Sequence, residues 1–408
     1  MNILFVHQNF PGQFVHLAPE LRRRGHACYA LTEASNSRSS GTMTWRYKYQ
    51  PMKVDPEATR LGRSYTAMSD RGAVVARAAR TLRERESLTP DLIIGHSGWG
   101  ETLFLKQVWP KAKILVYSEF YYQGLGADVG FDPEFGTSGF AQQLSAQARA
   151  AHMAQSLIHA DRGIAPTRWQ ASTYPPVLRA MIDVIFDGVD TEAMRPDPDA
   201  AYQLPSGKIL RAGDEVLTFV NRNLEPYRGY HIFMRALPEV LRARPEAEVV
   251  ILGGDSVSYG APPPGGETWK ERILSEMRGQ LDLARVHFLG KVPYPDFRSL
   301  MQITRAHAYL TYPFVLSWSM VEAMAAGALV IGSKTAPVEE MLTHGKTGLL
   351  VDFFDVPGWS AQLIEALAEP EKFQPLRAAA RQHVVENYDL KQICLPAQVA
   401  LVEELLAR

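Results

Sequence analysis

The chain has 408 residues, of which 46% are hydrophobic and 21% are charged, and its net charge is −1. This length suits two α/β domains, and the composition excludes a disordered or fibrous chain. The near-neutral charge argues against a nucleic-acid partner, because general nucleic-acid binders carry an excess of Lys and Arg to meet phosphates.

The two cysteines, Cys28 and Cys394, are too few for a disulfide framework and have no metal-ligand spacing. We therefore expect buried thiols and no metal site. The amino terminus reads as a strand without a leader, and no apolar run reaches the roughly 18 residues of a spanning helix. These features predict a cytoplasmic protein, with peripheral contact at the inner membrane face left open.

The first half of the chain alternates short apolar runs with amphipathic stretches, which is typical of βαβ units in a parallel sheet. The predicted strands are NILFVHQ, ACYALT, LIIGH, KILVYSE and RGIAPT. A short helix is predicted from Glu101 and a long helix near residues 140 to 160. Residues 33–67 are predicted to be an inserted strand and loop. The irregular segment 121–139 is predicted to contribute to an acceptor site.

The second half repeats this plan after residues 187–213, whose Pro, Asp and Gly content predicts the interdomain connection. Its predicted strands are LTFVN, EVVILGG, RVHFLG, HAYLTY, LVIGS and TGLLVD, and two helices are predicted from Pro375 to the end. Segment 260–266 reads as a loop. The predicted domains are 1–186 and 187–389, and the terminal helix at about 390–408 is expected to pack back on the first.

Open parallel sheets bind ligands beyond the carboxyl ends of their strands, so the residues that follow each apolar run are the candidates for function. Gly12 follows strand one and would let backbone approach a phosphate, although a Pro-Gly turn is more often only a turn. His96 follows LIIG beside glycines, and a functional role and a packed histidine are about equally good interpretations.

Arg222 and Arg228 lie in a turn before a helix, where two guanidiniums suit a diphosphate; either alone would be better explained as a solvated charge. Ser317 or Ser319 would cap the helix after HAYLTY and point its free N–H groups at an anion. Glu322 in that helix can accept both hydroxyls of a ribose, although by itself it reads as an acid that complements the helix dipole.

These residues in this order resemble the family 4 glycosyltransferases, retaining enzymes of the GT-B fold, over nearly the whole chain. Residues 318–351 (WSMVEAMAAGALVIGSKTAPVEEMLTHGKTGLLV) are similar to the segment around the second glutamate of that family's paired-glutamate motif. DGVDTEAM at 187–194 resembles the family's N-G-V-D signature. RNLEPYRG at 222–229 resembles its R-x-x-x-x-K-G diphosphate loop with one extra residue.

The resemblance implies an α/β GT-B fold, with two facing Rossmann-like domains of parallel sheet and a deep cleft between them. It implies an acceptor-binding first domain and a donor-binding second domain. His96, Arg222 and Arg228 would be catalytic, with His96 near the transferred sugar. The donor site would consist of Gly12, Arg222, Arg228, Gly290, Lys291, Ser317, Trp318, Ser319 and Glu322. Of these, Arg222 and Arg228 would hold the diphosphate, Glu322 the ribose, and Gly290 and Lys291 the nucleobase.

The expected activity is retaining, metal-independent transfer of a sugar from a nucleotide-diphosphate-sugar to a glycan, lipid-linked or small-molecule acceptor, in polysaccharide or glycoconjugate synthesis. No cofactor is expected. Two positions depart from the family pattern: Phe314 stands where the family has its first glutamate, and Ala336-Pro337 replaces a Gly-Gly pair.

Phe314 keeps open a catalytically degenerate GT-B binding or regulatory protein, and a GT-B sugar-nucleotide epimerase shares the architecture. A hydrolase ranks low, because the sequence places no two acids together. The arginines 22–24, 77, 80, 83 and 85 are better explained as solvated helix faces than as a surface for anionic lipid. The sequence leaves open the donor sugar and base, the acceptor and the oligomeric state.

Overall fold

In the computed structural model of the chain, residues 1–51, 61–136 and 138–408 are described. Within these ranges the strands are β1 (Asn2–Val6), β2 (Ala27–Glu33), β3 (Met43–Tyr47), β4 (Leu92–His96), β5 (Lys113–Tyr117), β6 (Arg162–Ala165), β7 (Ile182–Val184), β8 (Ala201–Gln203), β9 (Ile209–Arg211), β10 (Val216–Asn223), β11 (Glu248–Gly254), β12 (Val286–Gly290), β13 (Ala306–Tyr309), β14 (Leu329–Ser333) and β15 (Leu349–Val351).

The α-helices of the same ranges are α1 (Leu17–Arg23), α2 (Arg63–Arg85), α3 (Leu105–Val108), α4 (Phe140–Arg149), α5 (Ala151–Ile158), α6 (Arg168–Ser172), α7 (Pro176–Arg179), α8 (Tyr230–Ala243), α9 (Trp269–Glu276), α10 (Tyr294–Ile303), α11 (Trp318–Ala325), α12 (Ala336–Met341), α13 (Val356–Ala368), α14 (Gln374–Tyr388) and α15 (Leu395–Ala407). A π-helical turn at Leu390–Cys394 leads into α15.

The chain forms two compact units, residues 1–187 with 391–408 and residues 188–390. The first unit is built on a parallel sheet with the strand order β3-β2-β1-β4-β5-β6-β7. Successive residues of a strand face opposite sides. Leu4 and Val6 therefore join one apolar cluster with α2 and α5, while Ile3 and Phe5 join another with α1 and α15. Both faces of the sheet are covered, as parallel sheets require.

The second unit has a six-stranded parallel sheet with the order β12-β11-β10-β13-β14-β15. Its core includes Phe219 of β10, whose ring stacks on Phe233 of α8 with centroids 4.5 Å apart, and the fully buried Trp359 of α13. Stacked aromatic pairs of this kind add to the free energy gained by burying apolar area. The predicted α/β class with two parallel sheets is confirmed.

Several local predictions differ from the structure. The helix predicted from Glu101 begins at Leu105, and the helix predicted near 140 to 160 is two helices, α4 and α5. The stretch 187–213 is not only a connection, because it contains the antiparallel hairpin β8–β9, which turns at Gly207. β7 is too short to give a sequence signal. Of the inserted segment 33–67, β3 supplies the strand, and residues 52–60 lie outside the described residues, as does residue 137 of the predicted acceptor loop.

Gly229, at the start of α8, gives a test of how tightly the second unit is packed. Its φ is +65°, and an added Cβ would lie 2.3 Å from Cβ of Leu310. Gly207 has a φ of +90° but nothing within 4 Å of its added Cβ. We expect Gly207→Ala to cost about 1–2 kcal/mol of unfolding free energy from backbone strain alone. Gly229→Ala should cost about 1–3 kcal/mol more, from overpacking.

The measurement is the urea unfolding midpoint of each variant and of the wild type. Equal midpoints for the two variants would contradict the close contact between Gly229 and Leu310.

Candidate functional site

Each sheet has one point where the strand order reverses, between β1 and β4 in the first unit and between β10 and β13 in the second. At such a point the loops from adjacent strands leave in opposite directions and open a crevice, which is where doubly wound sheets bind ligands.

Arg228 links the two strands at the reversal point of the second unit. It ends the 3-10 turn Pro226–Arg228 that follows β10 and is 5% exposed. Its Nη1 donates to Oγ1 of Thr311 and to the carbonyl of Val315, both at 2.8 Å. Both acceptors follow β13. The guanidinium therefore fixes the β10 turn against the loop of the neighbouring strand.

The charge of Arg228 has no carboxylate within ion-pair distance in the described part of the chain. Its Cζ lies 5.1 Å from the ring centroid of Tyr259 and 5.9 Å from that of Phe314. Burial alone would lower the pKa of the guanidinium, but Tyr259, Tyr309 and the charge of Glu225 raise that pKa overall. Arg228 is thus a buried, permanent cation held by neutral acceptors and aromatic faces, an arrangement that suits an anionic ligand.

Glu225 holds in place the loop that carries Tyr259. The carboxylate is fully buried and accepts three backbone N–H groups, from Ser258, Tyr259 and Gly260, at 3.1 to 3.2 Å. A carboxylate that accepts several backbone N–H groups is a strong local anchor. Tyr259 is therefore fixed in its place beside Arg228.

Arg222, the other predicted arginine, is the next-to-last residue of β10 and is exposed. Among the described residues it has no ion-pair partner. The structure thus places one guanidinium in the interior and one at the surface of the same strand-and-turn segment. Their joint grip on a diphosphate stays a prediction.

The start of α11 differs from its prediction. Ser317 is the N-cap residue, but its side chain makes no capping hydrogen bond and its Oγ lies 3.2 Å from Oγ of Ser319. The expectation that Ser317 or Ser319 caps the helix with its side chain is wrong, because the two hydroxyls pair with each other. The backbone N–H of Ser317 donates to the hydroxyl of Tyr309. Trp318 is 42% exposed.

Glu322, the fifth residue of α11, is half-buried, and its Oε1 accepts a hydrogen bond of 2.9 Å from the hydroxyl of Tyr294 in α10. Burial raises the pKa of this carboxyl to about 7, although the Tyr294 hydrogen bond acts in the opposite direction. A carboxylate that is already accepting one hydroxyl is chemically suited to accept the hydroxyls of a ribose.

Gly290 and Lys291 close β12 and begin the segment that leads to Tyr294. Gly290 has a φ of +65°, so it turns the backbone out of the strand in a conformation that favours glycine. A Cβ added at Gly254, the last residue of β11, would lie 3.1 Å from Cε of Lys291. The exposed Lys291 side chain therefore lies along the carboxyl edge of the sheet.

His96 is the last residue of β4, at the reversal point of the first unit. It is 3% exposed, and its Nδ1 accepts the backbone N–H of Gly98 at 2.9 Å. Its Nε2 lies 3.5 Å from Oε2 of Glu119, which follows β5. Gly12 lies after β1 with a φ of +50°, and an added Cβ would be 2.8 Å from Cε1 of His7.

His7, Glu119, Tyr259 and Tyr294 contact predicted site residues but were not predicted themselves. His7 had a signal, because it directly follows the first apolar run. Tyr259 and Tyr294 had none, since a lone tyrosine in a loop or at a helix start carries no pattern.

The structure also describes the two positions that depart from the family pattern. Phe314 packs on Tyr259 with ring centroids 4.8 Å apart, and Ala336-Pro337 opens α12.

Four of the seven arginines considered as a membrane surface form ion pairs, namely Arg23, Arg24, Arg80 and Arg83. Arg23 and Arg24 lie 2.7 and 2.9 Å from Glu20, and Arg80 lies 3.7 Å from Glu84. These ion pairs favour solvated helix faces. Among the described residues, no helix combines the length and apolar character needed to cross a membrane.

Two family models match the chain. Residues 24–194 match the model described as "Glycosyl transferase family 4 group", and residues 206–383 match "Glycosyl transferases group 1". Together they cover most of both units.

Curated relatives match over part of their length. A D-inositol 3-phosphate glycosyltransferase of Segniliparus rotundus is 28% identical over 56% of this chain and 49% of its own. A GDP-mannose-dependent alpha-(1-6)-phosphatidylinositol monomannoside mannosyltransferase of Mycolicibacterium smegmatis is 27% identical over 53% of this chain and 55% of its own. The chain spans about half the length of the curated relatives it matches.

Solved structures match over nearly all of both chains. Sucrose-phosphate synthase from Thermosynechococcus elongatus has a TM-score of 0.73 at 17% identity, with 100% of each chain covered. Anabaena Alr3699/HepE in complex with UDP-glucose has a TM-score of 0.67 at 17% identity, with 99% of each chain covered. At this identity the likeness concerns the fold, which is GT-B.

The raised pKa of Glu322 predicts a pH dependence of stability. The ordinary value is 4.5 and the folded value is about 7, so the unfolded chain loses this proton first as the pH rises. The contribution to stability is fully present below pH 4.5 and is lost by about pH 7. Between pH 5 and 8 we expect the wild type to lose about 1–3 kcal/mol from this group.

The measurement is urea unfolding at both pH values for the wild type and Glu322→Gln, which should lack this loss. Glu339→Gln, at an exposed position of α12, is the control and should retain the loss. An equal loss of unfolding free energy between the two pH values in the wild type and in Glu322→Gln would contradict the assignment of the raised pKa to Glu322.

Proposed function

We propose that this chain, which belongs to the family 4 glycosyltransferases, transfers a sugar from a nucleotide-diphosphate-sugar to a hydroxyl acceptor with retention of anomeric configuration. The acceptor class is a glycan, a lipid-linked molecule or a small molecule, and the setting is polysaccharide or glycoconjugate synthesis. The observation that carries the proposal is Arg228, a buried cation without a carboxylate partner among the described residues, at the reversal point of the second sheet.

The anion that best fits this position is a diphosphate. Leaving a buried charge unpaired is unfavourable by several kcal/mol, so the ligand that supplies the counter-charge gains correspondingly. Arg222, the next-to-last residue of β10, offers a second guanidinium, and the side chain of the N-cap residue of α11 makes no capping hydrogen bond. A diphosphate carries enough acceptor oxygens for all three donors.

In the proposed reaction the bond between the anomeric carbon and the leaving diphosphate breaks as the acceptor oxygen attacks from the same face. Negative charge develops on the diphosphate, and Arg222, Arg228 and the α11 N-terminus stabilise it. The acceptor's proton passes to an oxygen of the leaving phosphate. Fixed cations perform the stabilising role, so we propose that no metal ion and no other cofactor is required.

We propose donor contacts for the remaining predicted residues as well. Glu322 accepts the ribose hydroxyls, and the backbone at Gly290 and Lys291 meets the base. Of the residues in the first unit, we assign His96 to the transferred sugar and Gly12 to donor binding. The relatives named above act, by their names, on inositol phosphate or on a phosphatidylinositol mannoside, so a cyclitol and a lipid-linked glycan are the first acceptors to test.

Phe314 supports a second candidate, a protein that binds nucleotide-sugars without transferring the sugar. Its ring is buried between Tyr227 and Tyr259, with centroids 5.6 and 4.8 Å away. The carboxylate that the family presents to the donor sugar is thus replaced by an aromatic ring. Tight donor binding without turnover of any acceptor would favour this candidate, and donor conversion without an acceptor would favour an epimerase.

The two arginines give the test of the proposed function. Removing a preorganised donor to the leaving group costs about 3 kcal/mol of barrier, or roughly a hundredfold in rate. We expect Arg222→Ala to lower kcat by about that factor. Arg228→Lys should do the same, since lysine keeps the charge but loses the fork of donors. The measurement is steady-state sugar transfer from UDP-glucose and GDP-mannose, chosen from the relatives and neighbours.

Arg242→Ala is the matched control, because Arg242 is an exposed arginine in the last turn of α8. It should transfer sugar at the wild-type rate. Wild-type rates in both Arg222→Ala and Arg228→Lys would refute the diphosphate assignment.

Metal independence is tested separately. We expect kcat and KM to be unchanged by excess EDTA and by added Mg²⁺ or Mn²⁺, because the charge stabilisation comes from guanidiniums and backbone N–H groups. Loss of transfer with EDTA and recovery with one of these ions would place a metal in the mechanism.

A further inference from the structure

At the reversal point of the first sheet, three buried N–H donors make no hydrogen bond of good geometry among the described residues, although the side chains of Gln13 and Glu119 lie near the two histidines. They are Nε2 of His7, Nε2 of His96 and Nε1 of Trp99. Buried donors are normally satisfied, and each one left unsatisfied costs about 1–3 kcal/mol. Three together at one sheet edge indicate a ligand or ordered water that accepts from them.

The two histidines are fixed as donors by the same local geometry. Nδ1 of His7 accepts the N–H of Asn9 at 3.0 Å, and Nδ1 of His96 accepts the N–H of Gly98 at 2.9 Å. A backbone N–H can only donate, so in the neutral ring each Nδ1 lacks a hydrogen and each Nε2 carries one. Glycine packs against Cε1 of each ring, since added Cβ atoms at Gly12 and Gly98 would lie 2.8 and 2.9 Å away.

His7 stays neutral at physiological pH. Burial, together with the neighbouring His96 and Arg38, lowers the pKa of its imidazole to about 3, although the nearby Gln13 side chain acts in the opposite direction. His7 itself therefore offers a directed hydrogen bond and carries no positive charge, although the Arg38 guanidinium lies near it. This differs from a phosphate site, where a charged donor is favoured.

The donors lie close together and next to one carboxylate. The rings of His7 and His96 have centroids 5.8 Å apart, and Trp99 lies 5.4 Å from His96. Oε2 of Glu119 is 3.5 Å from Nε2 of His96, and the Glu119 side chain is 32% exposed, so this carboxylate reaches solvent while the donors are buried. β1, β4 and β5, which carry these residues, are consecutive in the sheet.

We propose that His7 and Glu119, together with His96, recognise the hydroxyl groups of a sugar or cyclitol ring. A hydroxyl can accept from Nε2–H and at the same time donate to the Glu119 carboxylate, whereas an anion would be repelled by that carboxylate. The inference rests on the proposed function, because it identifies the ring as a substrate of transfer.

Two sources supply this chemistry, the transferred sugar of the donor and the acceptor. A substitution of His7 distinguishes these two sources, because it changes the donor affinity in one case and the acceptor KM in the other. If the ring is the donor sugar, affinity for the nucleotide-sugar falls while affinity for the nucleoside diphosphate is unchanged. If the ring is the acceptor, donor affinity is unchanged and the KM for acceptor rises.

Two substitutions of His7 separate the role of each nitrogen. In His7→Asn the side-chain oxygen replaces Nδ1 and keeps the bond to Asn9, but the Nε2 donor is lost. In His7→Gln the terminal amide replaces Nε2–H, and the Nδ1 acceptor is lost. If His7 only holds the backbone at Asn9, the larger loss of ligand affinity is expected in His7→Gln. If Nε2 of His7 recognises a hydroxyl, the larger loss is expected in His7→Asn.

We expect His7→Asn to lose about tenfold in affinity for the sugar-bearing ligand, the value of one directed hydrogen bond, and His7→Gln to lose less. Glu119→Ala should show a loss similar to that of His7→Asn. His26→Asn, at the opposite end of the sheet before β2, is the control and should bind like the wild type.

The measurement is calorimetric titration of UDP-glucose against UDP and of GDP-mannose against GDP, with acceptor KM values for the same variants. Unchanged ligand affinity and unchanged acceptor KM in both His7→Asn and Glu119→Ala would overturn the inference. If the wild type binds no nucleotide, the proposed function fails instead.

The tautomers are tested without any ligand, by ¹⁵N NMR of histidine-labelled protein. We expect protonated Nε2 and unprotonated Nδ1 for both His7 and His96 near neutral pH. A ring of His7 protonated on Nδ1 would overturn the inference even if no nucleotide binds.

Discussion

The unpaired charge of Arg228 is the constraint on which the second unit's candidate site depends. The guanidinium is buried, and both acceptors of its Nη1, Thr311 and the Val315 carbonyl, are neutral. Glu225, the acid nearest in the chain, is committed to three backbone N–H groups of the 258–260 loop. The Glu225 carboxylate thus positions Tyr259, and within the described part of the chain no carboxylate lies within ion-pair distance of Arg228.

The two units have the same kind of reversal point in their sheets, but the side chains at those points differ in chemistry. Each sheet reverses its strand order once, and each presents buried polar groups there. In the first unit these are imidazoles whose tautomers are fixed by backbone N–H groups, with a carboxylate beside them. In the second unit the buried group is the Arg228 guanidinium, and the start of α11 follows the neighbouring strand. Neutral, directed donors with a nearby carboxylate suit hydroxyls, whereas permanent cations suit a diphosphate.

The sequence predicted the long parallel strands well, because strands buried on both faces are continuous apolar runs such as EVVILGG. It missed β7 and the β8–β9 hairpin, whose strands have three residues each and too few apolar positions to show a period. Among candidate residues, Arg228, Glu322 and His96 were found because they follow strands or match a family motif. Tyr259, Tyr294 and Glu119 were not, because their partners lie far away in sequence and only the folded chain brings them together.

The replacement of the family's glutamate by Phe314 bears directly on the charge of Arg228, which has no carboxylate partner among the described residues. The ring of Phe314 lies 5.9 Å from the Arg228 guanidinium, and a carboxylate in its place would supply the counter-charge that the described residues otherwise lack. An aromatic face attracts a cation by about 0.5–2 kcal/mol, much less than a buried ion pair, and it accepts no proton. In the proposed reaction, the replacement of the family's glutamate removes a contact to the donor sugar and leaves the Arg228 charge without a carboxylate neighbour at this position, so that the leaving phosphate can supply the counter-charge.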